Sequence, residues 1–308
     1  VTRTLPLGVD LGAARTCVAL TERGRDGVAR LIAAASRPTG NDPAAAIAAA
    51  RAELGTRERR CVLALGAPDS LVREVAFPPF GRIERERAAR FEATRLASLA
   101  LDEAVVRVLP LCAGRHALAV ARRDALQRAL GAARRAGLRP FAVDDAAFAL
   151  LRAFDTDAIV DVGLRRTTLV SRGGTLPRVR VVDLAGHALT DAIVAALGID
   201  EAAAEHRKRT IGLGGAGDAL CATLVDRITA ALVDARAALP HDLRSVLLTG
   251  NGARLAGLAD AIERAAAVPT RLATFPPAVC TTLPADVVRA AAPDWGLAYG
   301  LALWPTAA

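Results

Sequence analysis

Short apolar runs alternate with helical stretches along the whole chain. Residues 5–9 form one apolar run, Asp10-Leu11-Gly12 interrupts it, and residues 17–21 form the next, which a turn at 23–27 separates from a third at 28–35. That order predicts a strand, a tight turn and two further antiparallel strands. Asn41-Asp42-Pro43 then opens a helix, with proline suited to the first turn and Ile47, Ala50 and Leu54 recurring on one face before Gly55. Residues 61–65 read as a buried strand, and the alternation of strands with helices predicts an α/β architecture.

The pattern changes at Leu71. Strands are predicted at 72–77, 105–111 and 117–121, with a helix at 83–101 whose Glu86 and Arg90 stand at the i,i+4 spacing of a solvated face. A second helix at 122–136 closes at Gly137 and Pro140. After a short strand at 141–143, Asp144 or Asp145 caps a helix running to Phe154. Residues 158–162 restart the opening pattern and continue through a strand at 178–184 to a helix at 191–197. A strand at 245–248 leads into a glycine-bearing turn and a helix through Ala265.

Composition narrows the function classes. The 308 residues are 53% hydrophobic and 23% charged, which fits a globular chain of more than one lobe and not a disordered one. No apolar run approaches the roughly 18–20 residues of a membrane span, and residues 1–7 do not read as a secretory signal. Cys17, Cys61, Cys112, Cys221 and Cys280 are scattered and odd in number, which fits reduced thiols and gives no zinc or dithiol pattern. Of 40 basic residues, 39 are arginine, so Lys208 stands out as the single lysine. Seven arginines face one acid, Asp124, between Arg115 and Arg139, so most of the net charge of +8 is assigned to that block. Aromatic residues that would stack on bases are missing there, which argues against nucleic acid.

One motif occurs twice. Asp10-Leu11-Gly12-Ala13-Ala14-Arg15-Thr16 and Asp161-Val162-Gly163-Leu164-Arg165-Arg166-Thr167 are both D-x-G-x-x-x-T between apolar strands, 151 residues apart. Glycine permits close backbone approach to an anion, and successive turn amides form an anion nest. An aspartate at a strand end suits hydrated Mg²⁺. Two such hairpins facing each other would clamp a nucleoside triphosphate. Glu205 and Lys208, three apart, share a helix face, and Thr249-Gly250-Asn251-Gly252-Ala253-Arg254 forms the later strand-to-helix turn.

In this order the motifs resemble the actin-like ATPase superfamily, whose nucleotide lies between two lobes. The D-x-G turns match its two phosphate loops, Glu205 and Lys208 its ribose-contacting helix, Gly250-Asn251-Gly252 its adenosine loop, and residues 296–302 its closing helix. Within it, residues 73–78, residues 136–140 with Asp144, and Gly186 with residues 189–193 resemble the PilM family of type IV pilus assembly proteins, related to FtsA. The resemblance implies lobe I at 1–70 and 140–157, an inserted subdomain at 71–139, and lobe II at 158–308 with a helix at about 296–304 returning to lobe I. It implies ATP and Mg²⁺ as cofactors. Contacts are then expected from Asp10, Gly12, Ala13, Ala14 and Arg15, from Asp161, Gly163, Leu164 and Thr167, from Glu205 and Lys208, and from Gly250, Asn251, Gly252 and Arg254. Asp10 and Asp161 would hold the metal through water. The implied partners are the tail of a PilN-like inner-membrane protein, the pilus motor ATPases and platform protein, and a second copy. The implied location is the cytoplasm, at the inner face of the membrane.

The chain departs from the family where Ala13 and Ala14 stand in place of hydroxyl residues and Leu164 in place of a small one. A lost hydroxyl contact to phosphate costs about 1.5–3 kcal/mol, or one to two orders of magnitude in affinity. Arg15, Arg165 and Arg166 are candidates to compensate. No residue stands out as a general base, so the enzymatic expectation is at most a slow ATPase. The alternatives are a pseudo-ATPase scaffold, a GspL-like secretion component and an FtsA-like filament protein. The last is opposed by an ending, residues 301–308, without basic residues.

Overall fold

The computed structural model describes residues 3–212, 215–276, 279 and 283–304; Cys280, residues 1–2 and the end of the tail, 305–308, lie outside these. The opening pattern forms β1 (Arg3–Thr4), β2 (Leu7–Leu11), β3 (Arg15–Arg23) and β4 (Ala29–Pro38), followed by α1 (Pro43–Glu53) and β5 (Arg60–Leu65). Asp42 caps α1 by accepting from the Ala44 amide, with Pro43 at the first helical position. Then come β6 (Ser70–Ala76), α2 (Arg82–Ala97), β7 (Ala104–Pro110), β8 (Arg115–Arg122), α3 (Arg123–Arg135), β9 (Arg139–Asp145) and α4 (Ala146–Ala153). Helix α2 ends at Ala97, four residues before the end expected from the sequence, and a left-handed Ser98 follows it.

The second half repeats the first: β10 (Ala158–Val162), β11 (Thr167–Ser171), β12 (Arg178–Val182), α5 (Gly186–Leu197), α6 (Glu201–Thr210), α7 (Asp218–Arg236), β13 (Val246–Thr249), α8 (Leu258–Ala266), β14 (Thr270–Leu272) and α9 (Ala285–Ala302). The sheets run β4-β3-β2-β5-β9 and β12-β11-β10-β13-β14. In each, the first three strands are antiparallel and the last two parallel. Strand β1 continues β2 along the same edge of β3. The sheets therefore share one topology.

Both faces of each sheet are buried, which is why their central strands read as continuous apolar runs. Leu7, Val9, Ile47 and Leu63 fill the outer core of the first sheet, and Val160, Ile193, Leu224 and Leu248 that of the second. Between the sheets, α4 and α9 join Ile159 and Leu247 to Phe154, Trp295 and Tyr299. Helix α9 lies so close to β2 that a β-carbon on Gly8 would fall 1.8 Å from the Ala298 carbonyl oxygen. The sequence pattern places its start near Gly296; in the structure it begins at Ala285 and continues through Pro293. Tertiary packing on both sheets overrides the cost of an interior proline.

A third sheet, β6-β8-β7, carries α2 on one face over Leu118 and Val120. Helix α3 instead inserts Ala125, Ala129, Ala132 and Ala133 into the outer core of the first sheet. Its packing partners are α1, β5 and β9 as well as β8.

Candidate functional site

The two D-x-G turns form from the same register. Asp10 pairs with Cys17 and Leu11 with Thr16; Asp161 pairs with Thr168 and Val162 with Thr167. Each aspartate is thus the penultimate residue of its strand, opposite the residue seven positions later. Both turns are too tight for a side chain at their glycine: a β-carbon would lie 2.6 Å from the Arg15 oxygen at Gly12 and 2.9 Å from the Arg166 oxygen at Gly163. The turns meet across a cleft lined by Asp10, Gly12, Ala13, Asp161, Gly163 and Leu164.

A third carboxylate, Asp294 of α9, joins this cleft. Burial, then the Asp161 charge, then that of Asp294 push Asp10 up to about 7. Burial and Asp294 push Asp161 up to about 6, against a hydrogen bond from Thr249. Carboxylates raised in this way call for positive charge beside them. Among the described residues no group of three or more His, Cys, Asp or Glu side chains could hold a metal ion by itself. Mg²⁺, which keeps several waters, fits such a floor.

The later turn packs against the second hairpin. Gly250 (φ +83°) donates its amide to the Pro293 carbonyl, and a β-carbon there would lie 2.5 Å from Asp161 Oδ1. One on Gly252 would meet the Val162 side chain at 2.7 Å. The amides of Gly186 and His187 at the start of α5 donate to the Gly163 and Leu164 carbonyls, fastening the second turn.

Several expected ligand contacts are directed into the protein instead. Thr167 is fully buried and donates to the Leu184 carbonyl at 2.8 Å, so it holds its turn rather than facing the cleft. Lys208 is 3% exposed, and its ammonium donates to Gly186 O at 3.0 Å, Thr190 Oγ1 at 2.7 Å and Glu205 Oε1. That uses all three of its protons and leaves none for a ribose. Arg15 donates to Ser36 Oγ and the Ser36 carbonyl, and Arg166 faces Asp183 at 3.6 Å, so both have protein partners although both line the cleft. Arg254 pairs with Asp294 at 3.1 Å, and Asn251 Oδ1 accepts from Arg209 at 2.9 Å.

What remains open is informative. Glu205 is held below the usual carboxylate range by hydrogen bonds and charge from Lys208, with Thr190 adding a further bond, against its burial. Its Oε2 is buried without a hydrogen-bond partner and faces the Arg209 guanidinium at 3.9 Å. Buried acceptors in this state call for a donor. Arg165 lines the cleft, exposed and with no ion pair recorded among the described residues. Asp294 and Thr39 were not singled out from the sequence. Asp294 follows a proline in an alanine-rich helix, and Thr39, which donates to the Gly12 carbonyl at 2.7 Å, lies 27 residues from it.

The sequence profile of the type IV pilus assembly protein PilM matches residues 41–305. The chain belongs to the PilM family. A solved PilM–PilN type IV pilus biogenesis complex superposes with a TM-score of 0.83 at 28% identity, covering 97% of each chain. EutJ, the ethanolamine utilization protein from Carboxydothermus hydrogenoformans, is similar at TM-score 0.57 and 14% identity, covering 98% of this chain and 89% of that one. The 2-hydroxyisocaproyl-CoA dehydratase activator from Clostridium difficile, solved with bound ADPNP, is similar at 0.52 and 12%, covering 98% and 94%. These more distant likenesses show the actin-like fold alone. No curated protein matches the chain. Among the described residues no helix is long and apolar enough to cross a membrane.

Proposed function

We propose that this PilM-family chain is an ATP-binding scaffold of type IV pilus assembly that engages the cytoplasmic tail of a PilN-like inner-membrane protein and links it to the motor complex. The observation that carries the nucleotide reading is the pair of hairpins with Asp10 and Asp161 in one register across one cleft. The partner reading rests on family membership and on likeness to a relative solved with PilN.

The residues present suit Mg²⁺–ATP. Asp10 and Asp161 would hold the hydrated metal, whose charge offsets their raised pKa values and neutralises phosphate. The amides around Gly12 and Gly163 would take phosphate oxygens, Arg165 would add charge, and Glu205 Oε2 would accept from a ribose hydroxyl. Gly250 and Gly252 let the later turn pack directly on Asp161 and Val162, and the adenosine would lie beside that turn. This reading gives Asp10 and Asp161 to the metal and gives no described cleft side chain the role of a base for water. Nucleotide would therefore act by favouring one cleft conformation over another and tuning partner affinity.

Titration with ATP and Mg²⁺ by calorimetry tests this. Micromolar binding that is lost in Asp161→Ala supports the reading, and PilN-like tail peptides are then titrated with and without ATP. Ala13 and Ala14, which give the first turn no hydroxyl, favour a second reading, a pseudo-ATPase scaffold. No heat and no thermal stabilisation up to millimolar ATP would select it.

A further inference from the structure

The charge surplus is not spread along residues 115–139 as the sequence suggests. Arg115 pairs with Glu74, Arg122 with Asp69 and Asp124, and Arg128 with Asp124, while Arg123 donates to the carbonyls of Asp102 and Ala104. Arg134, Arg135 and Arg139 behave differently. They lie where α3 ends and β9 begins, and β9 runs parallel to β5 with Arg60 opposite Arg139. The Arg139 amide donates to the Arg59 carbonyl at 2.7 Å, so the loop before β5 and the loop before β9 are neighbours.

Strand β2 is parallel to β5, so its start lies at the same end, as does the β3–β4 hairpin. Residues 3–4, 22–30, 56–60 and 134–139 all gather at this pole. Together they hold ten arginines and three acids, a surplus of seven against +8 for the whole chain. Asp26 is taken by Arg30 and Glu58 by Arg60. Arg25, Arg57, Arg59, Arg134, Arg135 and Arg139 are exposed, with no ion pair recorded among the described residues.

Helix dipoles account for little of this. Helices α1 and α3 both end here, and a helix C-terminus carries about half a negative charge, far less than the surplus. Arg25, Arg57, Arg59 and Arg139 also lie outside both helices.

We propose that this pole docks on an anionic phospholipid surface. The arginines are spread across the ends of a five-stranded sheet, about 20 Å at the usual strand spacing, which suits a plane of phosphates. Among the described residues no helix N-terminus points out of this end to enter a nucleic-acid groove, and the four segments, the β3–β4 hairpin included, contain no aromatic residue to stack on bases. The pole lies at the N-terminal ends of β2, β5 and β9, whereas Asp10 and Asp145 mark their C-terminal ends at the cleft. Docking therefore leaves the cleft facing away from the membrane, and a failure of nucleotide binding would leave this inference standing.

The test is co-sedimentation of the full chain with phosphatidylcholine vesicles, with and without phosphatidylglycerol. The expected result is partition onto the anionic vesicles only, abolished by salt that shortens the Debye length to about 3 Å. R57E/R59E/R135E should lower that partition roughly tenfold or more. R90E/R107E/R271E, the same charge change on other surfaces, should reduce it far less. Should the first variant fail to fold by its melting curve, R57S/R59S/R135S replaces it, with the same expectation in weaker form. Equal partition onto neutral vesicles, equal loss in both variants, or tighter binding to duplex DNA or polyglutamate than to anionic vesicles would overturn the proposal.

Discussion

Gly250 approaches Asp161 so closely that a β-carbon on the glycine would stand 2.5 Å from the carboxylate Oδ1. The same glycine holds φ +83° and donates its amide to Pro293, so one residue joins the second hairpin, the later turn and α9. Gly250→Ala should therefore destabilise by roughly 2–4 kcal/mol, through left-handed strain and overpacking together. Denaturant unfolding measures this. Gly137→Ala, also at positive φ but in open space, should cost only about 1 kcal/mol.

Asp10 and Asp161 predict a pH dependence of stability. In the unfolded chain both release their protons near the ordinary 3.8, whereas the folded chain holds them up to about 7 and 6. Between these values the folded state binds more protons, so stability from these groups falls as pH rises from about 4 to 7 and then levels off. Asp10→Asn should flatten that slope and stabilise the ligand-free protein at pH 8 by on the order of 1–2 kcal/mol, given water in the open cleft. Urea denaturation at pH 5 and pH 8 tests the sign; a slope unchanged by the substitution contradicts it.

Lys208 is a buried cation with three acceptors. Lys208→Met should leave Glu205 with only the more distant Arg209, at 3.9 Å, and lower stability by roughly 3 kcal/mol. Thermal melts without nucleotide suffice to see it. A variant that melts like the wild type but fails to bind ATP would restore a direct ligand role for the lysine.

Ala13 stands exposed in the first phosphate turn. Ala13→Ser restores a hydroxyl there, and ATP affinity by calorimetry should rise about tenfold, the value of one hydrogen bond to a charged group.

The fold was largely legible because it is built from short apolar strands buried on both faces, and a repeated D-x-G turn announces two copies of one unit. Helix α7 was the chief omission, although Leu224, Ile228 and Leu232 recur at its helical spacing. Helix α9 was foreshortened because Pro293 reads as a boundary unless the packing that overrides it is known. The repeated spacing marks Asp10, Gly12, Asp161 and Gly163, which the structure brings to one cleft, whereas nothing in the sequence marks Asp294.

Local sequence determined the strand–turn–strand hairpins, the capped helices and the residue types able to meet an anion, since all of these depend on near neighbours. Only the tertiary structure decided where long side chains end. Lys208, Arg15, Arg254 and Thr167 turn inward because their partners are supplied by segments 17 to 40 residues away. Asp294 enters the cleft because α9 threads between both sheets. The same holds for charge: Arg139 is distant along the chain from Arg57 and Arg59, and parallel strand pairing brings them to one pole.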